Sequence, residues 1–319
     1  MSNDSVSRRD MLAISAALLA SDRAVAAPAS ASPSPEAGSM PAPLLVDRAF
    51  LRLTEGLVHY RSAGSRTGGT ALPLFLAHAG PGSSSAFEGY LPTLGRRRFC
   101  FAPDMLGNGD SAPPASESVP ITYYSECAVR VMDALGVEQV DFYGSHTGAQ
   151  IGIEIAAAHP TRIRRLILDG LPLFPPEFKA QLLARYAPAV KPDDYGGHLA
   201  WAWNFARDQS LYWPYFERQA ANRLANGVPS AELLHRGVTD ILKALGTYHI
   251  AYHAAFAQDV PPVLRRVRCP VLLMASDHDP LSTYLDEAAR LLPAAQKVRL
   301  GREVTASDRV ELIEHFLAG

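Results

Sequence analysis

The stretch that most constrains this chain runs from Val140 to Ala158, VDFYGSHTGAQIGIEIAAA. Val140–Tyr143 is a short apolar run of the kind a buried strand carries, and Ala149–Ala158, rich in Ala and Ile, continues as a helix. Between them lies only Gly144-Ser145-His146-Thr147-Gly148. So sharp a turn needs glycines where the backbone doubles back and where the helix packs close to the strand. It also lifts the side chain at its middle clear of the strand end. That side chain is His146.

The alternation of strand and helix continues on both sides. Ala49–Leu53 and Leu57–Arg61 alternate around Glu55-Gly56 as a β-hairpin. Leu72–Ala77 and Phe99–Ala102 are apolar strands, Thr122–Leu135 has helical spacing and stops at Gly136, and Arg164–Leu168 is a strand ending at Asp169-Gly170. From Leu171 to Pro262 the chain turns helical and aromatic, with Phe174, Trp201, Trp213 and Tyr252 among its side chains. The sheet pattern resumes at Val271–Ala275, followed by a helix over Thr283–Leu292, a short strand Lys297–Leu300 and a last helix Ser307–Ala318. The expected class is α/β, a doubly wound and mostly parallel eight-stranded sheet. Its core spans 44–170 and 263–319, and a helical cap, 171–262, is inserted after the sixth strand. Such a cap covers the carboxyl ends of the strands, where these sheets bind ligands.

Composition narrows the partners. A net charge of −2 and a pI near 6.6 offer no electrostatic footprint for nucleic acid or an anionic membrane. The three cysteines, Cys100, Cys127 and Cys269, are too scattered for a disulfide framework or a zinc site and read as buried thiols. Gly64–Thr70 lacks the lysine of a phosphate-cradling loop. At the N-terminus, Ser7-Arg8-Arg9-Asp10-Met11-Leu12 is close to the twin-arginine pattern. A modest apolar stretch, Met11–Ala20, and an A-x-A site at Ala24-Val25-Ala26 follow it. Residues 1–26 are therefore expected to be a cleaved signal and 27–43 a flexible Ala/Pro/Ser linker. The partner implied is the twin-arginine export machinery, and the destination the periplasm or the medium. The segment is too short and Ala-rich to span a bilayer, so no stable membrane anchor is expected.

Four segments stand in order along the chain: His78-Ala79-Gly80-Pro81-Gly82, Pro103-Asp104 through Gly107-x-Gly109-x-Ser111, the Gly144–Gly148 turn continued by His159–Asp169, and Pro270–Pro280. Together they resemble the α/β-hydrolase superfamily, from Ala49 onward. The resemblance implies an oxyanion hole made by the backbone N–H groups of Gly80 and Thr147. It implies an orienting acid at Asp279, with Asp169 as the alternative, and neither cofactor nor metal. Asp277-His278-Asp279 has no second cluster to complete a metal site. Two positions depart from the family pattern. The apex of the elbow is His146 where the family carries Ser, Cys or Asp. The loop after the eighth strand, Leu300–Asp308, has no histidine, and His315 falls late in the last helix as a structural residue.

Three readings of His146 follow. It can pair with Asp279 and serve as base or nucleophile in hydrolysis of a small, largely apolar ester, thioester, lactone or β-diketone. It can remove a proton next to a carbonyl, as a cofactor-free lyase or isomerase. Or the scaffold can bind a ligand without turnover. Ser145 has Tyr143 and Thr147 rather than glycines as its flanks, which makes it a polar neighbour of the apex. Arg207, Tyr212, Trp213, Tyr252 and His253 are the remaining candidates for contact with a small-molecule carbonyl substrate, and His253 is also a candidate substitute base.

Overall fold

A computed structural model describes residues 44–67 and 71–319, so the expected signal (1–26) and linker (27–43) lie outside the described residues. The chain opens with the hairpin β1 (Asp47–Leu53) and β2 (Gly56–Ala63), whose tight turn brings Leu53 opposite Gly56. Then come β3 (Leu74–Ala77), α1 (Leu91–Leu94), β4 (Cys100–Pro103), α2 (Ile121–Ala134), β5 (Val140–Ser145), α3 (Thr147–Ala158) and β6 (Ile163–Asp169). Five helices separate β6 from the next strand: α4 (Pro176–Arg185), α5 (Gly197–Leu211), α6 (Ala231–Lys243), α7 (Tyr248–Ala257) and α8 (Val260–Leu264). The chain closes with β7 (Val271–Ser276), α9 (Leu285–Leu291), β8 (Gln296–Leu300) and α10 (Ala306–Ala318). Most boundaries fall within one or two residues of expectation, and one element differs in kind. The helix expected from Thr283 begins as a 3-10 turn, Pro280–Tyr284, because Asp279 caps it and Pro280 fixes its first φ.

All eight strands form one sheet in the order β1-β2-β4-β3-β5-β6-β7-β8. Pairing is parallel from β4 through β8, and the β1–β2 and β2–β4 pairs are antiparallel. Successive side chains of a strand point to opposite faces, so each central strand feeds two cores. Phe142 packs with Phe75, Phe101, Met132 and Ile151 on the face covered by α2 and α3. Its neighbour Tyr143 joins Leu74, Leu91, Ile313 and Phe316 on the face covered by α1 and α10. Full burial of each such side chain contributes roughly 1.5–3 kcal/mol. A third cluster belongs to α4–α7 and is aromatic, built around Tyr186, Phe205, Tyr248, Tyr252 and Phe256. Among the described residues no helix is long and apolar enough to cross a membrane.

Candidate active site

The turn between β5 and α3 is as tight as its glycines suggest. A Cβ on Gly144 would lie 2.3 Å from the Gly148 carbonyl oxygen, and one on Gly148 would lie 2.2 Å from the Ala77 carbonyl oxygen. No side chain fits at either place. His146 at the apex has φ 49° and ψ −108°, the one positive φ outside glycine among the described residues. Such a conformation costs on the order of 1–3 kcal/mol and persists only where its surroundings enforce it. Two backbone bonds do so: His146 N–H donates to the Asp169 carbonyl at 3.0 Å, and Gln150 N–H donates to the His146 carbonyl at 3.1 Å.

The imidazole reaches Asp279, with Nε2 2.7 Å from Oδ2. An ionised carboxylate only accepts, so Nε2 carries the proton and the other ring nitrogen, Nδ1, is left with its lone pair. Asp279 is held in turn by the Leu281 N–H, which donates to Oδ1 at 2.8 Å. Beneath the pair runs Gly170, at φ +73°, where a Cβ would come within 2.5 Å of Asp279 Oδ2 and 2.7 Å of His146 Nε2. Burial works to lower the imidazole pKa, but the charge and hydrogen bond of Asp279 outweigh it and leave His146 above its ordinary 6.5. For Asp279, burial works upward and the imidazole and the Leu281 N–H outweigh it, so its pKa lies below the usual carboxylate range. The His146 side chain is 39 % exposed against 13 % for Asp279, so the ring opens to the cleft while the acid stays behind it.

The carboxylate of Asp169, the alternative acid, makes no hydrogen bond to the His146 ring. It accepts from the Tyr143 hydroxyl at 2.6 Å and from Arg309 Nη1, both on Oδ2. Burial pushes its pKa up even against Arg309 and Tyr143. Arg309 comes from the first turns of α10, beyond the loop that lacks a histidine. Sequence reasoning missed both Arg309 and Tyr143. Tyr143 carried a signal, since strand alternation sends it to the face opposite Phe142. Arg309 carried none, because it is 140 residues from its partner.

Gly80 N–H points at the Thr147 hydroxyl at 3.5 Å, a contact near the limit of a hydrogen bond. Thr147 opens α3, so its own N–H lies outside the helical ladder. The loop carrying Gly80 is fixed by His78. Met105 N–H donates to His78 Nε2 at 2.9 Å, so the ring proton sits on Nδ1 and is given to the Ala79 carbonyl at 2.8 Å. Burial lowers the His78 pKa, in keeping with that neutral form. The Asp104 carboxylate accepts from Ser84 N–H at 2.7 Å and Asp110 N–H at 2.9 Å and so braces the adjoining loop.

Two hollows meet at His146. A cleft of about 600 Å³ is lined by Ser145, His146, Tyr90, Tyr143, Asp279 and Arg309, among others. A chamber of about 250 Å³ is lined by Thr147, Phe174, Tyr186, Trp213, Tyr252 and Phe256 as well as His146. Ala79, Gly80 and Gln209 line both. Ser145, Trp213 and Tyr252 are thus brought to the site. Arg207, Tyr212 and His253 are not lining residues of either hollow. Arg207 closes on its neighbour Asp208 at 2.8 Å, Arg223 stacks on the Tyr212 ring, and His253 faces His249 at 6.0 Å between ring centres. Asp277-His278-Asp279 does not converge either, since the His278 ring is taken by Asn226 Oδ1 and the Arg302 carbonyl. Cys100 and Cys127 are buried as expected and Cys269 only partly so; burial raises the thiol pKa values, Cys127 to about 12 and Cys269 to about 11.

The chain is similar to several known proteins. The chain is 39% identical over 116 residues to a 2-hydroxymuconate semialdehyde hydrolase of Pseudomonas sp. (strain CF600), a match covering 34% of this chain and 41% of that protein. A stretch of 122 residues is 27% identical to haloalkane dehalogenase 2 of Mycobacterium tuberculosis, covering 38% of this chain and 41% of that one. The chain therefore spans about two fifths of the length of the curated relatives it matches first. In three dimensions it is similar to an enol-lactonase from Burkholderia xenovorans LB400, with TM-score 0.64 and 19% identity over 85% of this chain and 100% of that one. An epoxide hydrolase from an endophytic Streptomyces gives TM-score 0.67 at 16% identity, over 87% of this chain and 96% of that one. The family model for the alpha/beta hydrolase fold matches residues 73–302, from the start of β3 to beyond β8, and the chain belongs to that family.

Proposed function

We propose that this site hydrolyses a small, largely apolar carbonyl compound, an ester, thioester, lactone or β-diketone, with His146 in the place of the usual serine and Asp279 orienting it. The observation that carries the reading is the 2.7 Å contact between His146 Nε2 and Asp279 Oδ2. It fixes the tautomer and leaves Nδ1 as the free base. Nδ1 takes a proton from water as the water attacks the carbonyl carbon, and the carbonyl oxygen, becoming negative, is received by the N–H groups of Gly80 and Thr147. The Thr147 hydroxyl, only loosely bonded to Gly80 at 3.5 Å, yields its place to that oxygen. General-base help contributes typically ~10²–10⁴-fold and one oxyanion donor about 10²–10³-fold. The names of the relatives, a semialdehyde hydrolase and an enol-lactonase, support a carbonyl substrate.

The test is purified protein against short esters, thioesters, lactones and β-diketones, with His146→Ala and Ser145→Ala alongside. Turnover is expected in the wild type, with a loss of ~10²–10⁴-fold in His146→Ala and little change in Ser145→Ala. The reverse pattern would sink the dyad. Deuterium exchange next to a carbonyl without hydrolysis would move the same base to lyase or isomerase chemistry, and tight binding without turnover would make the scaffold a receptor. For destination, the Arg8-Arg9 pattern and the Ala24-Val25-Ala26 site support twin-arginine export. Retention of a double variant carrying Arg8→Lys and Arg9→Lys in the cytoplasm, against release of the wild type, is the expected fractionation result.

A further inference from the structure

Gln209 sits near the end of α5, and its side-chain nitrogen is buried without a hydrogen-bond partner. Ala206 and Ser210, three residues before it and one after, also line the larger cleft, so this edge of α5 is turned toward the site. Gln209 itself lines both hollows, together with Gly80 and His146. The orphaned amide therefore stands at the junction where a reacting carbonyl would lie. A buried donor without an acceptor carries a full desolvation penalty and calls for an explanation. The Tyr252 phenol is near enough to feel the amide, yet no hydrogen bond of normal geometry joins them.

We propose that Gln209 is a specificity-determining residue that donates to a second oxygen of the substrate, making the preferred class a 1,3-dicarbonyl compound with one apolar arm. Three features of the junction support that class. Gly80 and Thr147 provide for one oxygen, and Gln209, which lines the same two hollows as Gly80, provides for another, so that a short spacer between the two oxygens suits the junction. The aromatic chamber of Phe174, Trp213 and Phe256 receives the apolar arm. The larger cleft beyond, with Ser145 and Arg309 on its wall, receives the rest. This inference rests on the functional reading above only for where the reacting carbonyl sits.

Its test reads binding and not turnover. In a His146→Ala background, the affinities of 1-phenylbutane-1,3-dione and 1-phenylbutan-1-one are measured by calorimetry, and again after Gln209→Met and Gln209→Glu. The dione is expected to bind on the order of tenfold more tightly than the ketone, as one buried donor satisfied rather than left unpaired would give. Both Gln209 variants should lose most of that ratio, with Gln209→Met binding the ketone as well as before or better. Gln209→Glu keeps the shape, so a folding defect in the methionine variant, seen as a lowered melting temperature, does not remove the comparison. Equal binding of dione and ketone, binding of neither, or a preference that survives both variants would overturn the proposal. A catalytically competent His146→Ala would defeat the dyad and leave this measurement standing.

Discussion

Asp169 and Asp279 follow the same logic of placement and end in opposite states. Both stand at or just past the carboxyl ends of adjacent parallel strands, β6 and β7, beside the elbow. Asp279 takes the imidazole and a backbone N–H, and its pKa is lowered; Asp169 takes a phenol and a guanidinium, and burial raises its pKa. The difference lies in the elements that face them. Asp279 looks across Gly170 to the tip of the elbow, whereas Asp169 looks toward Tyr143 and α10 on the other face of the sheet. Of the two carboxylates, the one that meets the imidazole is the one that no guanidinium claims.

The sharpest way to break that comparison is to remove each charge. Asp279→Asn is expected to reduce kcat/KM on the order of 10²–10⁴-fold, since the amide no longer fixes the imidazole tautomer. Asp169→Asn should leave most of the activity, and equal losses in steady-state assays of the two variants would erase the distinction. The pH profile sharpens the same point. Asp279 outweighs burial and holds the imidazole above 6.5, so the acid limb of kcat/KM should lie above that value, where falling pH protonates the base. In Asp279→Asn that limb should move to lower pH. For stability the signs differ by partner. The contribution of Asp279 is lost as pH falls through its depressed pKa, and that of His146 is lost as pH rises through its raised one, leaving a window between them.

Next in size comes the ground shared by the two acids. Gly170→Ala forces a Cβ into the His146–Asp279 contact and into a positive φ. It is expected to destabilise by about 1–3 kcal/mol in urea titration and to lower activity in proportion to how far the ring is displaced. Unchanged activity would mean that the dyad is not what turns over substrate. Arg309→Met leaves Asp169 buried beside Tyr143 alone. Because that carboxyl can take up a proton, the cost should be about 1–3 kcal/mol, less than for a fixed buried charge, and it should grow with rising pH. The smallest effect expected is that of Tyr143→Phe, about 1 kcal/mol by thermal or urea unfolding, with Arg309 still in place.

The sheet and its elbow were legible because each rests on local pattern, and the two acids followed from the family resemblance. Apolar runs, the two glycines around His146 and the order of four loop segments are all read within a few residues of themselves. The pairing of His146 with Asp279 could be inferred from the family resemblance, since an imidazole at the apex reaches toward the space before the acid that the missing histidine would fill. The cap was harder. Its aromatic composition announced a core, but which stripe of a helix faces a cavity depends on neighbours far along the chain. Trp213 and Tyr252 face the chamber, while Arg207, Tyr212 and His253 find partners elsewhere.

Two things were set by the sequence alone. The glycines at 144 and 148 permit a turn in which any Cβ would collide with backbone, and that turn presents His146 at its apex. The absence of a histidine between Leu300 and Asp308 removes the usual base at its source. Tertiary structure decided the rest: that Arg309 claims Asp169, that Asp279 is left to the imidazole, and that the Gln209 nitrogen is stranded at the junction of two hollows. Those outcomes depend on groups 133 and 140 residues apart arriving within hydrogen-bonding distance. Local pattern carries no information at that range, because the donor that reaches a carboxylate first is chosen by packing.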